Sequence, residues 1–238
     1  MWPSPSPLSK RRSWAVVVLR FIGSAPLTYS WLAVLLVTTI IAHHLDRRQW
    51  HAIVVAGSTN IAHLAKDPLE VLIDSLLWID GRYWTPYLVL FTLFLAPAER
   101  WLGQLRWITV GLTAHVGATY ISEGLLKLAI DSRDAPEKLM HAADIGVSYF
   151  LVGVMGMLTY HIVTPWRWGY LVIVLVIFGF PLTRIDPKDL NFTAIGHFSS
   201  ILIGLCCYAL ARDRQGRSID PARVPRLLRR RGSRDASA

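Results

Sequence analysis

The chain is 238 residues long, 53% apolar and only 17% charged, with a mean hydropathy of +0.39. That is too apolar for an ordinary soluble domain, and the apolar residues come in long blocks without the ten-residue alternation of a membrane barrel. The net charge of +9 gathers largely in the C-terminal run RVPRLLRRRGSR, read as a tail resting on anionic lipid and not as a nucleic-acid binder.

In chain order, KRRSWAVVVLRFIG comes first. Arg20 interrupts its apolar run and no convincing small-residue cleavage site follows. Residues 9 to 22 are therefore expected to form a short interfacial helix, with Trp14 and Phe21 opposite its basic residues, and not a signal peptide. A hydrocarbon core about 30 Å thick takes roughly 20 helical residues to cross. Six blocks are long enough: PLTYSWLAVLLVTTIIAHHL (26 to 45), YWTPYLVLFTLFLAPAERWL (83 to 102), LRWITVGLTAHVGATYISEGLLKL (105 to 128), AADIGVSYFLVGVMGMLTYHIV (142 to 163), WGYLVIVLVIFGFPLTR (168 to 184) and FTAIGHFSSILIGLCCYALA (192 to 211). The expected fold is all-α, a polytopic six-helix membrane bundle over residues 26–212. A basic segment, 1–25, precedes it, and a disordered basic tail, 213–238, follows. With both termini cytoplasmic, most of the 25 basic residues fall inside, including Lys10, Arg11, Arg12, Arg20, Arg100, Arg106, Arg167 and the tail arginines from Arg212 to Arg234. The expected location is the cell membrane.

Between the first two spans, DPLEVLIDSLLWIDGRYW reads as an amphipathic interfacial segment with Leu69, Leu72, Ile73, Leu76 and Leu77 towards lipid. His43, His44, His51 and His63 gather on the same side, without a spacing that demands a metal. Trp78, Trp84, Trp101, Trp107, Trp166 and Trp168 fall near span boundaries, as an aromatic belt would. His115 and Glu123 are ionisable groups within the third span and functional suspects for that reason; Glu123 lies close enough to the outer end to reach water. Cys206 and Cys207 are adjacent and read as small core residues.

The chemistry-bearing stretches are GVSYFLVGVMG and GHFSSILIG. A serine nucleophile needs a base within hydrogen-bond reach, and a neutral histidine serves. With the expected topology, Ser148 and His197 enter the fourth and sixth helices from the outer side, about one turn deep. Gly146, Gly153 and Gly156 on one helix, and Gly196, Ser199, Ser200 and Gly204 on the other, permit close approach. Helix packing alone also explains such spacing. Asp144 lies four residues before Ser148 and reads as an N-terminal cap of the fourth helix, with a role in orienting His197 or His141 as the sharper alternative.

These stretches resemble the rhomboid intramembrane serine proteases. Gly146, Ser148, Gly153 and Gly156 match the nucleophile pattern, and His197 with Gly204 matches the base pattern, Ser200 standing where a glycine is usual. AERWLG supplies Glu99, Arg100 and Gly103, matching the conserved end of the second helix. STNIAHLAKDPLEVLIDSLLW is similar to the outer loop of a divergent bacterial branch of rhomboid-like membrane proteins. The resemblance implies a Ser148/His197 dyad cleaving transmembrane substrates near the outer face, with no cofactor and no metal. Two departures stand out. Tyr83 and Tyr87 occupy the positions of the oxyanion-binding histidine and asparagine, and bulky Tyr149 follows the serine where a small residue is usual, either wedging the fourth and sixth helices apart or reaching the site. The alternative function is a non-catalytic relative that binds transmembrane helices or lipids without cutting them.

Overall fold

The computed structural model describes residues 16–79, 83–142, 144–184 and 192–223. Lys10, Arg11, Arg12, Trp14 and the arginines after residue 223 lie outside the described residues. Among the described residues every regular element is helical. In chain order the α-helices are residues 16–23 (α1), Pro26–His44 (α2), Arg47–Ala56 (α3), Ile61–Lys66 (α4), Pro68–Asp74 (α5), Trp84–Leu90 (α6), Ala96–Leu102 (α7), Gln104–Asp131 (α8), Val147–Leu158 (α9), Trp166–Gly179 (α10) and Phe192–Cys206 (α11). Three stretches are long and apolar enough to cross a membrane: Pro26–His44, Trp166–Thr183 and Phe192–Leu210. Val147–His161 is apolar but shorter.

The landmarks of AERWLG prove structural. An α-helix leaves its first backbone N–H groups without partners, and α2, which begins at Pro26, has no side-chain cap of its own. Glu99 supplies one from α7: its carboxylate accepts from the N–H groups of Leu27 at 3.0 Å and Thr28 at 2.8 Å. The negative charge also suits the positive end of the helix dipole. Arg100 ties the preceding turn, donating to the Ser24 hydroxyl and the Phe21 carbonyl while lying 4.2 Å over the Phe21 ring. Gly103 has φ +84°, a conformation that strains a residue with a Cβ, and it lets the chain reverse from α7 into α8. Between α6 and α7, Phe91–Leu95 form a wide π turn. Pro97 has no N–H for the Leu93 carbonyl and its ring crowds that position, which accounts for the widening.

The segment between α2 and α6 is folded and packed inward. Asp46 and Gln49 cap α3 reciprocally, and Asn60 caps α4 by accepting from His63 N–H. Leu69 and Ile73 of α5 are exposed, as an interfacial helix requires, but the helix is shorter than its sequence suggests. The segment is also tied into the bundle: the Leu72 carbonyl within α5 meets His115 Nε2 at 3.1 Å, and beyond the helix the Leu76 carbonyl accepts from Trp31 Nε1 at 2.8 Å. His115 thus anchors this segment to α8.

Three helices, α8, α9 and α11, form the tight centre. A Cβ on Gly204 would stand 1.9 Å from the Gly153 carbonyl oxygen, and one on Gly156 2.6 Å from the Ile201 carbonyl oxygen. A Cβ on Gly153 would meet Ala114 of α8 at 2.1 Å. Without a hydrophobic force between helices in lipid, this close backbone approach supplies the van der Waals contact that association needs. Gly146 serves a different contact, against His115 and Ser75, and Ser200 is fully buried beside this seam.

Two expectations are corrected. Trp101 and Trp107 are not belt residues: both are buried, Trp101 stacked on His161 at 4.5 Å and Trp107 packed between Trp31 and Phe150. Trp166 and Trp168 are exposed, as a belt requires. Nor is residue 213 the start of an unstructured tail. Residues 212–223 fold back on the bundle, where Asp213 pairs with Arg106, the Arg214 carbonyl accepts from Trp101, and Ile219 bridges to Ile162.

Two tests follow from this packing. Gly204→Ala forces a methyl into backbone, so the thermal midpoint in detergent is expected to fall by the equivalent of about 2 kcal/mol or more, whereas Gly124→Ala, with open space around it, should cost nothing. Glu99→Ala leaves two buried N–H groups without acceptors and is expected to destabilise by roughly 2–4 kcal/mol, with Glu99→Gln restoring part of the loss; equal stability of Glu99→Ala and the parent in a denaturation series would refute the capping role.

Candidate functional site

The first turn of α9 is held well inside the molecule. Gly146 N–H donates to the Ser75 carbonyl at 3.1 Å, and the residue packs against His115 of α8. At 1.5 Å per residue, about 24 Å of helix separates His115 from the end of α8 at Asp131. Ser148 follows two residues after Gly146 and is half-buried.

A cavity of about 230 Å³ opens beside it, lined by Val54, Tyr87, Asp144, Ile145, Ser148, Thr193 and His197. Ser148 reaches it from α9, His197 and Thr193 from α11, Tyr87 from α6 and Val54 from α3. The Ser148 hydroxyl donates to the Ile145 carbonyl at 3.3 Å, a resting bond within its own turn. Nε2 of His197 is buried without a hydrogen-bond partner among the described residues. The imidazole packs against two aromatic rings, Tyr149 at 5.3 Å and Phe178 at 5.6 Å. Serine and histidine thus face one space with the bond between them unmade. A change of Ser148 rotamer is the smallest motion that turns its hydroxyl from Ile145 into the cavity.

The other expected site residues divide. Tyr87 lines the cavity, whereas Tyr83 lies in a separate pocket with His43, His44 and Trp84 between α2 and α6. Asp144 is not a helix cap: Gly146 holds the cap position of α9 and makes no side-chain cap bond. Asp144 instead accepts from the Tyr149 hydroxyl at 2.5 Å and from Thr193. Tyr149 does not wedge the helices apart. Gly196 leaves room for its ring, since a Cβ there would lie 2.3 Å from it. Glu123 does not reach water: it is buried near Asp144 and takes a backbone hydrogen bond from Ile61.

A profile of the rhomboid-like protein family matches residues 20–217. The chain belongs to that family. No curated protein and no solved structure matches it. The match covers the helical bundle, the folded segment between α2 and α6, and the start of the folded-back C-terminal stretch. In this rhomboid-like chain Ser148 and His197 line one cavity, together with Tyr87 and Asp144 and with residues that the sequence did not single out.

Three of those escaped the sequence. Thr193 had a usable signal, lying four residues before His197 and so on the same helical face. Val54 had none, because its position depends on how the whole 45–83 segment folds. Phe178 lies in an evenly apolar helix, where nothing marks one aromatic residue over another.

The cavity wall at Val54 is open to test. Val54→Trp is expected to fill the space, so that a small water-soluble thiol reagent modifies a Ser148→Cys variant at least tenfold more slowly in the Val54→Trp background. An unchanged rate would show that α3 does not wall the cavity.

Proposed function

We propose that this rhomboid-like protein is an intramembrane serine endopeptidase of the cell membrane, with six spans and both termini cytoplasmic, cleaving transmembrane proteins near the outer face. The observation that carries the reading is the shared cavity: Ser148 and His197, on different helices, open on one space with polar groups sunk in an apolar bundle. Such a space supplies what a hydrolase in lipid needs, namely room for water and separation of the reacting groups from the hydrocarbon.

The steps follow from those groups. Ser148 turns its hydroxyl towards His197 and gives up its proton to the imidazole as Oγ attacks the scissile carbonyl carbon. The imidazolium returns that proton to the leaving amine when the C–N bond breaks. A water molecule, deprotonated by the same imidazole, then attacks the acyl ester and frees Ser148. The Ser148 N–H lies in the first turn of α9, where helix geometry provides no acceptor, and the Tyr87 phenol faces the same cavity. Together they are the donors offered to the developing oxyanion. The arginine-rich tail is assigned to anionic lipid at the cytoplasmic surface.

Purified protein in nanodiscs, treated with a fluorophosphonate and offered single-span substrates, tests the reading. Labelling is expected at Ser148, abolished in Ser148→Ala and lowered about 10²–10⁴-fold in His197→Ala. Tyr87→Phe is expected to lower turnover by about 10²–10³ if its phenol serves the oxyanion. A wild-type protein that neither labels nor cleaves, yet retains single-span helices on an affinity column, would instead favour a non-catalytic binder. Cleavage persisting in Ser148→Ala would remove the proposed nucleophile.

A further inference from the structure

The proposed chemistry uses Ser148 and His197 but leaves two buried polar residues beside them without a task. Tyr149 is fully buried, and Asp144 is 3% exposed. Burying a phenol and a carboxylate in an apolar bundle is costly unless their hydrogen bonds are made, and here they make them with each other. The Tyr149 hydroxyl donates to Asp144 Oδ2 at 2.5 Å, and Thr193, one turn from His197 on α11, donates to the same carboxylate group. The phenol cannot swing away: Gly196, the neighbour of His197, closes on its ring. Tyr149 in turn stands nearly perpendicular to the His197 imidazole, at 79° and 5.3 Å between centroids. Phe178 also meets the imidazole, at 61° and 5.6 Å between centroids. Ser122 and Glu123 of α8 face the same phenol, and Glu123 also faces Asp144.

We infer that Asp144 and Tyr149 are positioning residues for His197, the carboxylate acting on the imidazole through the phenol. This inference rests on the endopeptidase reading for its catalytic consequence and on geometry alone for the contact. In a serine–histidine dyad nothing on the second ring nitrogen needs to fix the imidazole. Here the ring is fixed from its sides. A phenol bonded to a carboxylate is a rigid, electron-rich wall, and an imidazolium formed when Ser148 gives up its proton is attracted to such a ring more than neutral imidazole is. The bulky residue after the nucleophile, which departs from the usual pattern, is on this view the part that compensates for a bare dyad.

A double-mutant cycle tests this. Tyr149→Phe keeps the ring and removes its bond to Asp144; Asp144→Asn keeps an acceptor and removes the charge. Each is expected to lower kcat for a single-span substrate about 10- to 100-fold with KM unchanged. Because the carboxylate acts through the phenol, the double variant should be no slower than Tyr149→Phe alone. The second arm needs no activity: in ¹³C-histidine protein, the His197 resonance, assigned by its loss in His197→Gln, should move in Asp144→Asn and stay put when Asp144→Asn is added to Tyr149→Phe. Additive losses, or a His197 resonance indifferent to both substitutions, would overturn the inference. Protein that never cleaves but shows the coupled resonance shifts would sink the endopeptidase reading and leave the contact standing.

Discussion

Everything at the candidate site depends on one close contact, the backbone of α11 at Gly204 lying on the Gly153 carbonyl of α9. In lipid, helices gain nothing by hiding apolar side chains from one another, so they associate where backbones come near enough for dense van der Waals contact. Once Gly204 meets Gly153, the earlier turns of both helices are set. Gly196 comes against Tyr149, and His197 and Ser148 turn to the same space. The third partner, α8, is brought in by Ala114 against Gly153, and it carries His115 to the start of α9. The small residues are thus upstream of the chemistry, even though none of them carries a reactive group.

Lipid offers polar groups no partner, and several within the bundle find one in the protein. Glu99 finds the free N–H groups of α2, and His115 finds the Leu72 carbonyl. Tyr160 and Tyr170 reach the Leu205 and Met155 carbonyls across helix boundaries. Nε2 of His197 is one of several buried side-chain atoms without a partner among the described residues, and it differs from the others in belonging to a residue that lines the cavity with Ser148.

Much of this was legible in the residues. Glycines three, seven and eight residues apart announce close packing because only they remove the Cβ that would block it, and AERWLG carries a carboxylate, a guanidinium and a turn glycine in one short run. The losses have a common cause. Tyr83 and Tyr87 are one helical turn apart and look equivalent in sequence, yet the chain enters α6 only at Trp84, so Tyr83 is left outside with His43 and His44. Asp144 looks like a cap because carboxylates near helix starts usually are, but the helix begins at Val147 and its cap position falls on Gly146, two residues further on. Trp101 and Trp107 look like belt residues because position along the chain does not report which side of a helix faces the interior. In each case the deciding fact is a rotation or an offset of a residue or two, which hydrophobic blocks twenty residues long do not resolve.

The dimensions of the cavity bear on how the proposed reaction is fed. A space of about 230 Å³ holds several waters, enough for hydrolysis and for solvating a resting histidine. A transmembrane segment entering it meets walls of two kinds. Two of the walls, Asp144 with Ile145 and Thr193 with His197, belong to the start of α9 and to α11, which the glycine seam fixes. The remaining two are Val54 on α3 and Tyr87 on α6, outside that seam, and α6 runs into a π turn where the helix ladder is already loosened. On the proposed reading, specificity is then set less by the groups that react than by which transmembrane segments can move α3 or α6, and the rigid centre needs only to wait with its histidine held in place.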